Sequence, residues 1–326
     1  MAEATGIVRE VAAAVGLAEG EPGVEAIVRT LARLEPVSIR AISRAVELPV
    51  PIVASVCGEL RKRNVVAEER PAQLTSAGRR LFAAGGLRVP APHTREMGLL
   101  RRRLKALADA APPPAVELDQ CHCTLETKMR RVVALHDADA LVGRRVLLLG
   151  DDDLTSVAIR LFVDHFGSGA TIARLTVLDV HDPLVRFISD ELHGAPFRAD
   201  CVRHDLRDPL PPSLRGAFDT VLTDPPYTMP AARLFLSRAA EALAAPGGNV
   251  FLSFGSKRPG AAFELQQAIT KSGFVIRRLD RDFNDYIGAG VLGGTSHLYQ
   301  LTATSSFRPL VTGRLEGPLY TASSAR

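Results

Sequence analysis

Three consecutive aspartates, Asp151, Asp152 and Asp153, follow Gly150 at the end of the apolar run Arg145–Leu149. Adjacent carboxylates repel one another and raise each other's pKa, so a run of three invites a cationic partner. One of them could instead cap a helix starting at Leu154. A second segment has a related character: the run from Phe218 to Thr223 ends in Asp224, Pro225, Pro226 and Tyr227. Prolines lack amide donors, so Asp224 and the proline carbonyls form an acceptor-rich rim able to hold an amine. Tyr227 can stack on that amine or attract it as a cation. The chemistry open to such a pair is the binding and orientation of amines.

These segments need elements to position them. From Arg144 onward strands alternate with helices, the pattern of a parallel sheet covered on both faces. The expected strands are 146–149, 174–178, 199–202, 220–223, 250–254, 275–279 and 297–302, with helices near 155–166, 183–192, 230–244 and 261–271. This is an α/β, Rossmann-like fold of about seven strands, in which ligands bind outside the carboxyl ends of the strands. The loop after the first strand therefore faces the ligand. In nucleotide sites it is usually glycine-rich; here Gly150 alone remains and negative charge replaces backbone access. Asp179, ending the second strand, is placed to accept both hydroxyls of a ribose, and Asp205, after the third, to approach an adenine amino group. Gln120 and Glu126 lie just ahead of the first strand, where a crossing segment could close the pocket. Asn284 and Tyr286 lie late in the sheet beside a glycine-rich loop, Ile287–Gly294.

The four cysteines, Cys57, Cys121, Cys123 and Cys201, are too few and too unevenly spaced for a disulfide framework and are read as free thiols. Cys121, His122 and Cys123, with Cys201 and His204, could supply metal ligands. A one-residue spacing is less usual than the two-residue spacing of structural zinc sites, and no second paired motif exists. Packed thiols are the preferred reading, with no metal expected.

At 326 residues the chain is long enough for two domains. Helices over 24–34, 38–45 and 49–63, a turn at Arg70-Pro71 between Val65-Val66 and Gln73-Leu74, and a helix from Thr75 to Leu81 resemble a small winged-helix domain. Such a module either binds DNA through its third helix or serves as a dimerisation or capping piece, and the fold alone does not decide. The expected organisation is a winged-helix domain over 1–85, a linker with a basic helix (Arg95–Ala110) over 86–115, a Rossmann-like catalytic domain over 116–305, and an arm over 306–326 that is flexible or a lid. Hydrophobic residues at 46% and charged residues at 23% exclude wholesale disorder. No run approaches the ~18 apolar residues of a membrane span, and the first residues do not form a signal sequence, so a cytoplasmic protein without membrane association is expected. Residues 1–110 carry 17 Lys and Arg against 12 Asp and Glu, and the remainder 23 against 24. The excess is mostly arginine, and nucleic acid is not an expected partner.

At Leu118–Gln120, Thr124–Thr127, Gly150–Ser156, Asp224–Thr228 and Asn284–Gly288 the sequence resembles the branched-chain polyamine synthases, over about 20–306. The resemblance implies an aminopropyltransferase that takes its group from decarboxylated S-adenosylmethionine and adds it to the secondary nitrogen of spermidine. It implies catalysis by the acidic Gly-Asp-x-Asp motif, at Asp151, Asp152 and Asp153; on the residues' own chemistry one of these three is the expected base, with Asp224 and the Pro225 carbonyl orienting the acceptor nitrogen and Tyr227 covering it. By position in the expected sheet, co-substrate binding is assigned to Gly150, Asp179 and Asp205, the last of which could instead only cap its loop, and acceptor binding to Gln120, Glu126, Pro225, Pro226, Asn284 and Tyr286. Cys121-His122-Cys123 departs from the family pattern. The charge argument agrees with this donor: three aspartates repel the carboxylate of intact S-adenosylmethionine and attract the ammonium of the decarboxylated form. A polyamine is the expected partner, in a homodimer. Two alternatives remain: a methyltransferase acting on an exocyclic base amine, where Asp-Pro-Pro-Tyr is equally at home, and a regulator whose Rossmann domain only senses a nucleotide.

Overall fold

The computed structural model describes residues 2–82, 95–255, 258–288 and 294–320. By internal contacts the chain divides into two compact units, Met1–Val89 with Gly167–Thr171, and Pro90–Phe166 with Ile172–Arg326. Part of the expected linker (Gly85, Gly86, Pro90, Pro92) and part of the glycine-rich loop (289–293) lie outside the described residues.

The smaller unit contains α1 (Ala2–Val15), α2 (Gly20–Leu34), α3 (Ile39–Val46), α4 (Val50–Lys62) and α5 (Ser76–Leu81). Ser38 caps α3 by accepting the Ala41 N–H, and Thr75 caps α5 by accepting that of Gly78. Pro51 sits in the first turn of α4, where its missing donor costs nothing. The chain then doubles back, with antiparallel bridges from Val66 to Leu74 and from Val37 to Ala72. Gly78 is obligatory there, since a Cβ would stand 2.2 Å from the Val65 carbonyl oxygen. Helix α1 was not expected from the sequence; Val8 and Val11 on it join the core of α2 and α4.

The larger unit is a seven-stranded sheet with helices packed against it. In chain order it contains α6 (Arg95–Ala110), α7 (Leu125–Asp137), β1 (Arg145–Leu149), α8 (Thr155–Phe166), β2 (Arg174–Asp179), α9 (Asp182–Leu192), β3 (Arg198–Arg203), β4 (Thr220–Thr223), α10 (Met229–Ala242), β5 (Asn249–Phe254), α11 (Pro259–Lys271), β6 (Phe274–Asp285) and β7 (Thr295–Ala303). The strand order is β3-β2-β1-β4-β5-β7-β6. Five strands run parallel, whereas β7 is antiparallel to both its neighbours, which corrects the all-parallel expectation. The reason is the connection: β6 and β7 are joined by a loop too short for a crossover helix, so the chain must return in the opposite direction. Strand β6 is also longer than expected and contains two register shifts.

Helix α6 packs within this unit, with Leu100 and Leu104 fully buried. The segment after β7, expected to be an arm or lid, is tied along α10. Arg238, itself buried, donates to the carbonyls of Leu206, Arg207, Val311 and Gly313, and the Ser237 hydroxyl accepts the N–H groups of Leu310 and Val311. Among the described residues, no single helix is long and apolar enough to cross a membrane.

Strand order reverses between β1 and β4, which are direct neighbours although β2 follows β1 in the chain. The Thr223 hydroxyl ties the two strand ends together by donating to the Leu149 carbonyl at 2.9 Å. The loops after β1 and β4 diverge at this point and open a cleft, as expected of a topological switch point.

Candidate active site

The cleft has a volume of about 490 Å3, and its walls include Gln120, Gly150, Asp152, Asp179, Asp224 and Tyr227. Gly150 turns the chain out of β1 with φ +74°, a left-handed conformation that favours glycine. The three aspartates that follow have separate tasks. Asp151 is buried and accepts the N–H groups of Thr155 (2.7 Å) and Ser156 (3.0 Å), so it caps α8 instead of facing a ligand. Burial raises its pKa to about 7. Asp153 is also turned away from the cleft. It accepts the Cys123 N–H and the Arg131 Nη1–H at 2.6 Å, with the Lys128 ammonium 3.8 Å away. Burial alone would raise its pKa, but the two cations bring it down to about 2. Both residues correct the expectation of three carboxylates aimed at substrate.

Asp152 is the member of the triplet that walls the cleft. Its carboxylate accepts the Cys121 N–H at 2.9 Å. Among the described residues no lysine or arginine pairs with it. Burial and the neighbouring Asp153, Asp224 and Asp179 hold its pKa well above the usual carboxylate range.

Asp179 accepts the N–H groups of Asp151 (3.1 Å) and His181 (2.8 Å), and the Gln120 side-chain amide approaches at 3.4 Å. Burial raises its pKa. Asp205 also lies in the cleft wall, although its carboxylate is shared with Arg207 and Arg314. Burial raises its pKa, but the Arg207 hydrogen bonds outweigh that and leave it lowered.

On the opposite side, Asp224 accepts from Arg131 Nη2 (2.7 Å), Tyr286 (2.6 Å) and Tyr227 (3.2 Å). Burial raises its pKa to about 6 against the lowering effect of Arg131. The two phenols lie 2.7 Å apart, oxygen to oxygen. Pro225 and Pro226 line the wall, and the Pro226 carbonyl accepts the Thr228 N–H at 2.7 Å, so that oxygen of the expected rim is already engaged.

Two expected acceptor residues do not face the cleft. Asn284 is fully buried, accepting from Arg131 Nε (2.9 Å) and donating to Ser296 (2.9 Å), so it holds Arg131 in place. Glu126 points to the surface and pairs with Arg101 at 2.6 Å, its side chain 46% exposed. Helical geometry explains this. Residues 128 and 131 share one face of α7, while 126 is two positions from 128 and projects from the other side.

A family model, the branched-chain polyamine synthase A C-terminal domain, matches residues 99–305. The chain belongs to the branched-chain polyamine synthase family. It is 33% identical over 267 residues to N(4)-bis(aminopropyl)spermidine synthase of Thermococcus kodakarensis, covering 76% of this chain and 74% of that one. The Thermus thermophilus protein of the same name is 30% identical over 309 residues, covering 88% and 83%. In three dimensions the chain is similar to the crystal structure of the Thermus thermophilus branched-chain polyamine synthase in complex with N4-aminopropylspermidine and 5'-methylthioadenosine. That match has a TM-score of 0.62 and 24% identity, over 98% of this chain and 97% of that one.

Within this branched-chain polyamine synthase fold, Cys121-His122-Cys123 is a structural seam. Cys123 bridges to Tyr286, the Ile287 N–H reaches the His122 carbonyl (2.9 Å), and the Thr124 N–H reaches that of Asp285 (2.8 Å). The segment thus runs as a short added strand whose alternate N–H groups hold Asp152 and Asp153. Burial raises the pKa of both thiols. Among the described residues, no three His, Cys, Asp or Glu side chains are grouped to hold a metal ion.

Sequence reasoning missed Lys128 and Arg131. The signal was present: Thr124 begins a capped helix, and two cations at i and i+3 just ahead of an acidic strand-end loop share one face of it.

Proposed function

We infer that the cleft transfers aminopropyl groups from decarboxylated S-adenosylmethionine to the secondary nitrogen of spermidine or a similar polyamine, giving a branched product. The observation that carries this reading is Asp152: a carboxylate in the cleft wall, surrounded by other acids and, among the described residues, not paired with a cationic side chain, that an ammonium ligand would complete. The names of the two relatives described above support it, since both are N(4)-bis(aminopropyl)spermidine synthases.

In the proposed arrangement Asp179 takes the ribose hydroxyls beside Gly150, with Gln120 steadying it and Asp205 on the adenine side. Asp152 pairs with the terminal ammonium of the donor, which places the carbon bonded to sulfur toward Asp224. The acceptor nitrogen must be neutral to attack, and Asp224 is placed to take its proton. The nitrogen lone pair then forms the new N–C bond while the C–S pair leaves on sulfur, releasing 5'-methylthioadenosine. Tyr227, Tyr286 and Pro225 wall the acceptor. A second transfer, to the resulting tertiary nitrogen, gives a quaternary ammonium.

Mass spectrometry of spermidine incubated with the protein and each form of the donor tests this. The expected result is a mass gain of one or two aminopropyl units with the decarboxylated donor only. Methylation of an amine by intact S-adenosylmethionine, with no aminopropyl product, would overturn it.

A further inference from the structure

Arg131 is almost completely enclosed, with 1% of its side chain exposed, and each guanidinium nitrogen meets an oxygen. Nε donates to Asn284, Nη1 to Asp153, and Nη2 to Asp224, with the Tyr286 hydroxyl a further 3.3 Å contact. Arg131 does not wall the cleft, so its influence reaches the reacting atoms only through the side chains that it holds. We propose that Arg131 is a positioning residue of the acceptor site, clamping Asp224 against Tyr286 and keeping that carboxylate charged so that it can take the proton of the attacking amine. This inference rests on the aminopropyl-transfer reading above.

The groups around Asp224 support it. From the loop after β1 come Asp153 and Asp152, from its own loop Tyr227, from the end of β6 Tyr286, and from the seam Cys121. Lys128 is directed to Asp153 instead, its ammonium donating to that residue's carbonyl at 2.7 Å. Arg131 is thus the cation in contact with Asp224, opposing burial and two nearby carboxylates. Remove it, and only the phenol hydrogen bonds oppose burial and the neighbouring carboxylates, so the balance moves toward the protonated acid, which cannot take the amine proton. A lysine would keep the charge, but a point charge cannot reach Asn284, Asp153 and Asp224 together as the planar fork does.

A structural counterion would also be buried, so the test must read ionisation as well as folding. Arg131→Gln takes the contacting cation from Asp224 and one of two from Asp153, and a folding defect in this variant would hide the effect on ionisation. The combined Arg131→Gln/Asp153→Asn variant removes one charge of each sign and avoids this. Two measurements follow for the wild type, the double variant and Arg131→Lys: kcat/KM for spermidine against pH, and the carboxyl 13C resonance of Asp224 in substrate-free protein, assigned with Asp224→Asn. In the double variant the acidic limb and the carboxyl titration should both move up by about one pH unit, a roughly fivefold loss of rate at pH 6. Arg131→Lys should fall between. A folded double variant with wild-type limb and titration would reduce Arg131 to a structural role. If the resonance moves and the limb does not, Asp224 is not the proton acceptor and the proposal fails while aminopropyl transfer stands. If wild-type protein makes no branched product, the transfer reading fails and takes the proposal's catalytic part with it; the substrate-free titration still decides whether Arg131 keeps Asp224 charged.

Discussion

The loop after β1 and the rim after β4 both bring carboxylates to the cleft, yet they hold them by different means. On the β1 side, backbone N–H groups do the work: Thr155 and Ser156 for Asp151, Cys121 for Asp152. On the β4 side, Asp224 is held by a guanidinium and two phenols. An amide fixes a carboxylate's position without cancelling its charge, whereas arginine supplies a full opposite charge. Asp153 belongs to the first loop by sequence and to the second by electrostatics, because it shares Arg131 with Asp224. Neighbouring aspartates can therefore have opposite characters, and the charge left for a ligand belongs to Asp152.

That contrast can be broken most severely at the two carboxylates of the cleft. Asp224→Asn should lower turnover by about 100-fold or more, the usual contribution of a positioned base, and should also lower the melting temperature because it breaks the buried pair with Arg131. Asp152→Asn should act mainly on the donor, raising its KM; steady-state kinetics with each substrate varied separates the two. Loss of acceptor affinity alone in Asp152→Asn would reverse the proposed sides of the cleft.

Stability should divide the adjacent pair in the opposite sense. Asp153→Asn breaks a buried ion pair and should cost about 3–5 kcal/mol in urea unfolding. Asp152→Asn removes a half-buried acid that pairs with no cation among the described residues and whose charged form its acidic neighbours oppose, and it should leave stability unchanged or raise it. Equal losses in the two variants would show that the difference between them is not electrostatic.

The pH dependence sharpens the same point. With its pKa raised to about 6, Asp224 loses its charged form as pH falls through that value, so kcat/KM should decline below about pH 6 and remain high above it on this limb. In Asp224→Asn the residual rate should lack this limb. Smaller effects belong to residues away from the cleft chemistry. Asp151→Ala removes the cap of α8 and should cost about 0.5–2 kcal/mol. Glu126→Ala breaks an exposed pair and should change stability by less than about 1 kcal/mol, with unaltered kinetics.

Much of the fold was legible because its signals are local. Strands β1, β2, β4 and β5 are short, largely apolar runs ending at Gly or Asp, and the alternation of strands with helices identified a Rossmann-like sheet. The reversed direction of β7 was not legible, since it depends on the length of the β6–β7 connection and not on the pattern within either strand. Helix α1 was missed because its alanine-rich stretch has no sharp apolar face, and its burial against α2 and α4 emerges only on packing.

For the site, the chain's own pattern determined that carboxylates would stand at the ends of β1, β2 and β4 and that an Asp-Pro-Pro-Tyr segment would face them across a switch point. These follow from strand ends, which are local, and from a general rule about where sheets bind ligands. What each carboxylate does was decided by tertiary structure alone. Asp151, Asp152 and Asp153 are chemically identical and adjacent, and their differences arise from groups distant in sequence: Cys121 and Arg131 from the segment ahead of β1, Asn284 and Tyr286 from the end of β6. Charge in a buried site depends on distance and solvent exclusion, and neither exists until the chain has folded.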